Sequence, residues 1–222
     1  MGVIDKISLN LSTRLGDRLN KDEEEKAVLN YGLFMIIHTF IGIIITILVG
    51  LITGMIIEIS LITITSALFK RYTGGVHAST PEICLIIGII LSLILSMVCR
   101  FISINTDINN IALIGIIIIV FSYYMIYYKC PVPSRNKPLN NEKTRNKLKK
   151  KAFTLLKIYT ILLIILYIIF YILKLSIVKS IIVSFMLGLF LQIVVLTNIG
   201  TKFINLLDKV FVFFINKILL RF

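Results

Sequence analysis

Five long runs of this sequence contain no Asp, Glu, Lys or Arg: residues 31–57, 83–99, 108–128, 158–173 and 180–201. A helix rises 1.5 Å per residue, so each run is long enough, or nearly so, to cross about 30 Å of hydrocarbon. With 58% apolar residues and a mean hydropathy of +0.97, a water-soluble fold could not bury this much apolar surface. The chain is therefore predicted to be an all-α, polytopic membrane protein.

A sixth apolar stretch, residues 59–69, is shorter and lies between Glu58 and Lys70. Its eleven residues could form a short span, a tilted span or a re-entrant element. We count it as a span. This gives a bundle of about six transmembrane segments over residues 27–201.

Both ends of the chain carry amphipathic patterns. Residues 1–26 place apolar side chains at four-residue spacing, which predicts a helix in the membrane interface or, as an alternative, one packed on the protein's own spans. Residues 202–222 mix aromatic and aliphatic side chains with lysines, so they predict a second interfacial helix or a cap on the bundle.

The net charge of +13, from 24 Lys and Arg against 11 Asp and Glu, is interpreted as a topology signal and not as nucleic-acid binding. Residues 129–151 form a predicted loop with nine basic residues and the single acid Glu142, so the positive-inside rule places this loop in the cytoplasm. Counting spans from it puts both termini and the connection 70–82 on the same side. The polar, mixed-charge N-terminal segment does not resemble a cleavable signal peptide.

The chemistry-bearing residues are few. Cys84, Cys99 and Cys130 are an odd number and suit free thiols better than a disulfide framework. Of the two histidines, His38 lies inside an apolar run and is interpreted as a packing residue, whereas His77 lies in a polar connection. No second histidine or cysteine lies near His77 to complete a metal shell, so neither a metal nor another cofactor is expected.

His77 and Cys84 are a candidate base and nucleophile. On an unbroken helix they would lie about 10.5 Å apart along the axis, too far for a hydrogen bond. A new helix is predicted to begin between them, with Ser79 and Glu82 as a capping box and Pro81 in the first turn.

Cys84 then lies close to a helix N-terminus, where the helix dipole and a neighbouring imidazolium favour its thiolate. Gly74 and Gly75 permit the tight turn that could fold His77 back towards the sulfur. Arg71 adds a flanking charge to this segment. The sequence identifies neither a residue that orients the imidazole nor an oxyanion hole.

At these residues the sequence resembles the accessory gene regulator protein B (AgrB) family of membrane cysteine endopeptidases. The family pattern has an Arg, then Gly-Gly-x-His-Ala, then a Cys seven residues after the His. Here it is met by Arg71, Gly74, Gly75, His77, Ala78 and Cys84. Residues 136–139, Asn-Lys-Pro-Leu, are a weaker second match. The loop begins Cys-Pro-Val-Pro at residue 130, where the family has Ala-Pro and a nearby acid.

The resemblance implies a cysteine endopeptidase in the cytoplasmic membrane of a Gram-positive bacterium. Its substrate would be an AgrD-like precursor with an acidic C-terminal tail, cleaved through an acyl thioester on Cys84 with His77 as base and then cyclised to a thiolactone or lactone. Family members are thought to act as homodimers. Basic residues that we expect to hold the acidic tail are Lys143, Arg145, Lys147, Lys149, Lys150 and Lys151.

Two other classes of function stay open from the residues alone. A small-peptide transporter would use the glycine-rich segment as a hinge, and a non-catalytic receptor would have a Cys84 of ordinary reactivity. A metalloprotease is a poorer fit because the sequence lacks His-Glu-x-x-His.

Overall fold

The computed structural model describes residues 3–76, 78–133 and 141–219. Within these ranges the regular elements are eight α-helices: α1 Val3–Arg18, α2 Glu23–Thr53, α3 Ile56–Thr73, α4 Pro81–Asn105, α5 Ile108–Lys129, α6 Glu142–Leu173, α7 Ser176–Val195 and α8 Asn198–Leu219. The predicted all-helical membrane fold is confirmed. Five of the described helices, α2 and α4 to α7, are long and apolar enough to cross a membrane.

The chain divides into two compact units, Met1–Val49 and Gly50–Phe222. In the first unit, the helix predicted over residues 1–26 is interrupted after Arg18. Asn20 adopts a left-handed conformation with φ of 50°, and Asp22 accepts a hydrogen bond from Glu25 N–H at 2.8 Å. Asp22, the first of four consecutive acidic residues, therefore caps the start of α2.

The uncharged run at residues 31–57 is divided by a helix end at Gly54. The Gly54 N–H donates to Leu51 O at 3.2 Å, and the Met55 N–H donates to Gly50 O at 2.8 Å. Together with a φ of +65° at Gly54, these two bonds form a Schellman motif, which favours glycine. Helix α3 begins two residues later.

Helix α3 is the centre of the second unit and packs against α4, α6 and α7. Its 18 residues reach about 27 Å, so the element exceeds the apolar stretch 59–69 at both ends. Gly188 of α7 lets the two helices approach closely, since a Cβ there would lie 2.7 Å from Thr65 Cβ. That α3 spans the bilayer fully stays a prediction.

The predicted basic loop 129–151 contains more helix than expected. Asn141 caps α6 by accepting a hydrogen bond from Lys143 N–H at 2.9 Å, so residues 142–151 are the first turns of α6. The basic side chains of this stretch are thus spaced on a helix. Residues 134–140, which include the second family motif, lie outside the described residues.

Candidate active site

Cys84 lies at the fourth residue of α4, close to the N-terminal position that was predicted. Its N–H donates to Thr80 O at 3.1 Å, which is the first backbone bond of the helix. The predicted capping box is wrong, however. The N-cap is Thr80, whose hydroxyl accepts from Ile83 N–H at 3.3 Å. Because Pro81 is the first helical residue, the cap must lie directly before it.

Ser79 has another partner. Its N–H and its hydroxyl both donate to Asp208 Oδ1 of α8, each at 2.9 Å. This bidentate contact explains why Ser79 does not cap α4, and it ties the connection between α3 and α4 to the last helix. Glu82 becomes the second residue of α4 and does not form the predicted pair with Ser79.

The cation beside the Cys84 thiol is Lys70. Its Nζ lies 3.6 Å from Cys84 Sγ, and both side chains are partly buried. Lys70 is in the last turn of α3, one residue before the Arg71 that the sequence singled out. The Arg71 guanidinium instead lies 5.8 Å from the centre of the Tyr72 ring. An ammonium at this distance favours the thiolate form of a cysteine.

The glycine pair forms a turn that is held against another segment. Gly74 and Gly75 have φ values of +70° and +131°, which strain any other residue. Gly74 also pairs with Val132, whose N–H donates to Thr73 O at 2.8 Å. A Cβ on Gly74 would lie 2.1 Å from Val132 O. Two constraints, conformation and close backbone approach, therefore require glycine at position 74.

Gln192 of α7 fixes the other side of the same turn. Its Nε2 donates to Thr73 Oγ1 and to Gly74 O, both at 2.9 Å, and the side chain is buried. Each amide hydrogen thus has an acceptor. Gln192 does not stand out in the sequence analysis, although an amide in the middle of the apolar run 180–201 is the type of residue that needs a partner in hydrocarbon.

The thiol opens into a small cavity of about 60 Å³. The wall is mostly aliphatic, with contributions from α3, α4, α7, α8 and the connection before α4. Its polar lining residues are Ser66, Lys70, Cys84 and Gln192. The C-terminal helix closes one side through Ile204, which is buried with Ile83, Ile87 and Val195 in a separate apolar cluster. Helix α8 is therefore part of the site.

His77 lies outside the described residues. Its two neighbours, Val76 and Ala78, line the cavity that contains Cys84 Sγ. The predicted contact between the imidazole and the sulfur stays a prediction.

The predicted tail-binding residues occupy the first turns of α6. Lys149 donates to Tyr127 O at 2.6 Å, and Lys151 Nζ lies 5.9 Å from the centre of the Tyr72 ring, two residues before Gly74. The other four, which are Lys143, Arg145, Lys147 and Lys150, are exposed. Lys151, the last of these basic residues, is therefore the one that lies near the glycine turn.

Glu58 is the acidic residue of the apolar region that is nearest to His77 in sequence. It lies at the opposite end of α3 from Lys70. It pairs there with Arg100 Nε at 3.4 Å and accepts from Ser180 Oγ at 3.1 Å. Twelve residues of helix place it about 18 Å from Lys70 along the axis. Among the described residues no group of three His, Cys, Asp or Glu side chains could hold a metal ion.

Comparison with known proteins gives a consistent assignment. The family model described as "Accessory gene regulator B" matches residues 5–219. An AgrB-like protein of Clostridium perfringens strain SM101 is 34% identical over 98% of this chain and 100% of its own length. A second one, from C. perfringens strain 13, is 30% identical over the same shares. An AgrB-like protein of Listeria innocua is 28% identical over 61% of this chain and 64% of its own length.

No solved structure matches this chain. The family match covers nearly the whole chain, and the first two relatives are matched over their full lengths. The chain belongs to the accessory gene regulator protein B family.

Proposed function

We propose that this protein is a membrane-embedded cysteine endopeptidase that cleaves an AgrD-like signalling-peptide precursor and promotes cyclisation of the product. The observation that carries the proposal is the Cys84 thiol near a helix start, with the Lys70 ammonium 3.6 Å from its sulfur and a cavity at its side. Reactive cysteines lie beside cationic groups, whereas buried structural cysteines are inert.

In the proposed reaction, Cys84 Sγ attacks the carbonyl carbon before the acidic tail of the precursor. His77 takes the thiol proton and gives it to the leaving amine as the C–N bond breaks, which leaves an acyl thioester on Cys84. A thiol or hydroxyl of the same peptide then attacks the thioester carbon. Its proton passes through His77 to the departing Cys84 sulfur, and the ring closes as a thiolactone or lactone.

Lys70 supports this scheme by supplying positive charge to the resting thiolate. In a partly buried site such a charge is screened less than it would be in water. His77, which holds the proton taken from the thiol, then protonates the leaving amine. The bonds from Gln192 and Asp208 to the connection that carries His77 hold both of its ends.

The basic first turns of α6 are the proposed site for the acidic tail, because a cluster of ammonium and guanidinium groups attracts carboxylates. Replacing Lys143, Lys147 and Lys150 together with Gln should raise KM for the precursor and leave kcat unchanged. Unchanged KM at low salt would remove this role. The same charges predict that this part of the chain faces the cytoplasm, and that orientation stays a prediction. The homodimer also stays a prediction.

The test uses purified protein in lipid vesicles with the AgrD-type precursor of the organism that encodes it. Cys84→Ser and His77→Ala should each abolish cleavage, whereas Cys130→Ser, at a buried thiol outside the cavity, should retain it. Mass spectrometry of the released tail measures the rate. A transporter would instead move the precursor at wild-type rate in the Cys84→Ser variant, and that result would overturn the proposal.

A further inference from the structure

The cavity beside Cys84 has the composition of a binding pocket for an aliphatic group. Seven of its lining residues have apolar side chains: Val76, Ala78, Ile87, Leu91, Leu191, Val195 and Ile204. Removing an apolar group from water into such a wall is favourable by about 25 cal/mol per Å² of buried surface. The polar lining groups include the thiol and the ammonium at its side.

We propose that this cavity is the subsite for the side chain of the residue whose carbonyl carbon Cys84 attacks, and that it selects short aliphatic side chains. The proposal rests on the proposed function for the natural substrate. The argument is geometric. When Sγ bonds to a carbonyl carbon, the α-carbon of that residue is one bond further away, so its side chain must occupy space next to the sulfur.

The size of the cavity sets the preferred side chain. A cavity of about 150 Å³ holds the six carbons of benzene. By proportion, the observed 60 Å³ holds two or three carbon atoms. Valine fills this space, alanine leaves part of it empty, and phenylalanine exceeds it.

Gly88 controls the depth of this subsite. It lies one helical turn after Cys84 on α4, on the same face, and it lines the cavity. A Cβ added at Gly88 would have no heavy atom within 4 Å. A larger residue can therefore enter the cavity without displacing its neighbours. Gly88 is thus proposed to be the specificity-determining residue of the subsite.

The experiment uses acetyl-dipeptidyl chloromethyl ketones that carry Ala, Val or Phe next to the reactive group. Cys84 Sγ forms a bond to the methylene carbon and chloride leaves, so labelling needs no precursor and no hydrolysis. Rates of labelling at Cys84 are measured by mass spectrometry in lipid vesicles and divided by the rate with iodoacetamide. In the wild type we expect the Val probe to exceed the Phe probe by about tenfold.

The ratio of the labelling rate with the Val probe to that with the Ala probe should fall in Gly88→Ala and fall further, by about tenfold in total, in Gly88→Val. The labelling rate with iodoacetamide should change little in either variant. Gly32→Val is the matched control, because a Cβ at Gly32 also meets nothing within 4 Å and Gly32 is not among the residues that line the cavity.

Equal Val-to-Ala ratios in the wild type and in both Gly88 variants would overturn the subsite, and so would a uniform loss of labelling with every peptide probe. Because the probes report on the pocket alone, the subsite can be confirmed or contradicted separately from precursor cleavage.

Discussion

Asp208 Oδ1 accepts two hydrogen bonds from Ser79, one from the backbone N–H and one from the hydroxyl, both at 2.9 Å. These residues are 129 positions apart. The contact joins the C-terminal helix to the connection that carries His77, two residues before Ser79. We therefore expect Asp208 to act as a positioning residue for the proposed base.

Asp208→Ala should lower kcat for precursor cleavage by about tenfold, because the connection that carries His77 would lose both hydrogen bonds that tie Ser79 to α8 and would hold the proposed base less well. Asp208→Asn keeps an oxygen acceptor and should stay within about threefold of the wild type. Iodoacetamide labelling of Cys84 should be unchanged in both variants, since the sulfur itself is not moved. Equal kcat for the Ala variant and the wild type would contradict the positioning role.

Lys70→Met should slow the alkylation of Cys84 by iodoacetamide, because the ammonium 3.6 Å from the sulfur stabilises the reacting thiolate. Lys70→Arg retains the charge and should keep the wild-type rate, while Arg71→Met serves as the neighbouring control. An identical alkylation rate in Lys70→Met would show that the ammonium does not act on the sulfur.

Gly74→Ala should abolish cleavage and destabilise the fold. A backbone with φ of +70° and ψ of −151° is essentially restricted to glycine and costs another residue about 1–3 kcal/mol, and here the new Cβ would also overlap Val132 O. Gly54→Ala is the control for a positive φ alone, because Gly54 has a φ of +65° but no heavy atom within 4 Å of an added Cβ. Thermal unfolding in detergent should show a clearly larger loss for Gly74→Ala. Equal losses would remove the role of the Val132 contact.

Cys130 should be inert to alkylation where Cys84 reacts. Burial raises the pKa of the Cys130 thiol to about 12, against a smaller opposing effect of Lys149. At pH 8 the thiolate fraction is then on the order of one in ten thousand. Iodoacetamide labelling of Cys130, followed by peptide mapping, should rise about tenfold per pH unit up to pH 10. A plateau below that pH would show that the thiol is not shielded.

The helices and the helix start at Pro81 were predictable because they depend on local pattern. Uncharged runs fix the spans, and a proline at the first turn fixes the start of α4. The break at Gly54 was also predictable in principle, since glycine favours the end of a helix, but the run 31–57 continues through it without a charged residue.

The residues that hold the candidate site together could not be predicted, because their roles depend on contacts between distant parts of the chain. In the sequence, Lys70 only marks the end of an apolar stretch. In the structure, the packing of α3 and α4 brings its ammonium to 3.6 Å from Cys84 Sγ. Gln192 in α7 and Asp208 in α8 have partners that lie more than 100 positions away in the sequence. Ser79 fits a local capping pattern, yet its bonds go to Asp208 and Thr80 caps the helix instead.

The most direct test of the central claim is a search for the acyl-enzyme. Wild-type protein in lipid vesicles is mixed with the AgrD-type precursor of its own organism, quenched in acid within seconds, and analysed by intact mass and peptide mapping. We expect Cys84 to carry the precursor without its acidic tail, with the adduct absent in Cys84→Ser. Binding of the precursor and release of its tail with no adduct on Cys84, at an undiminished rate in Cys84→Ser, would contradict the account.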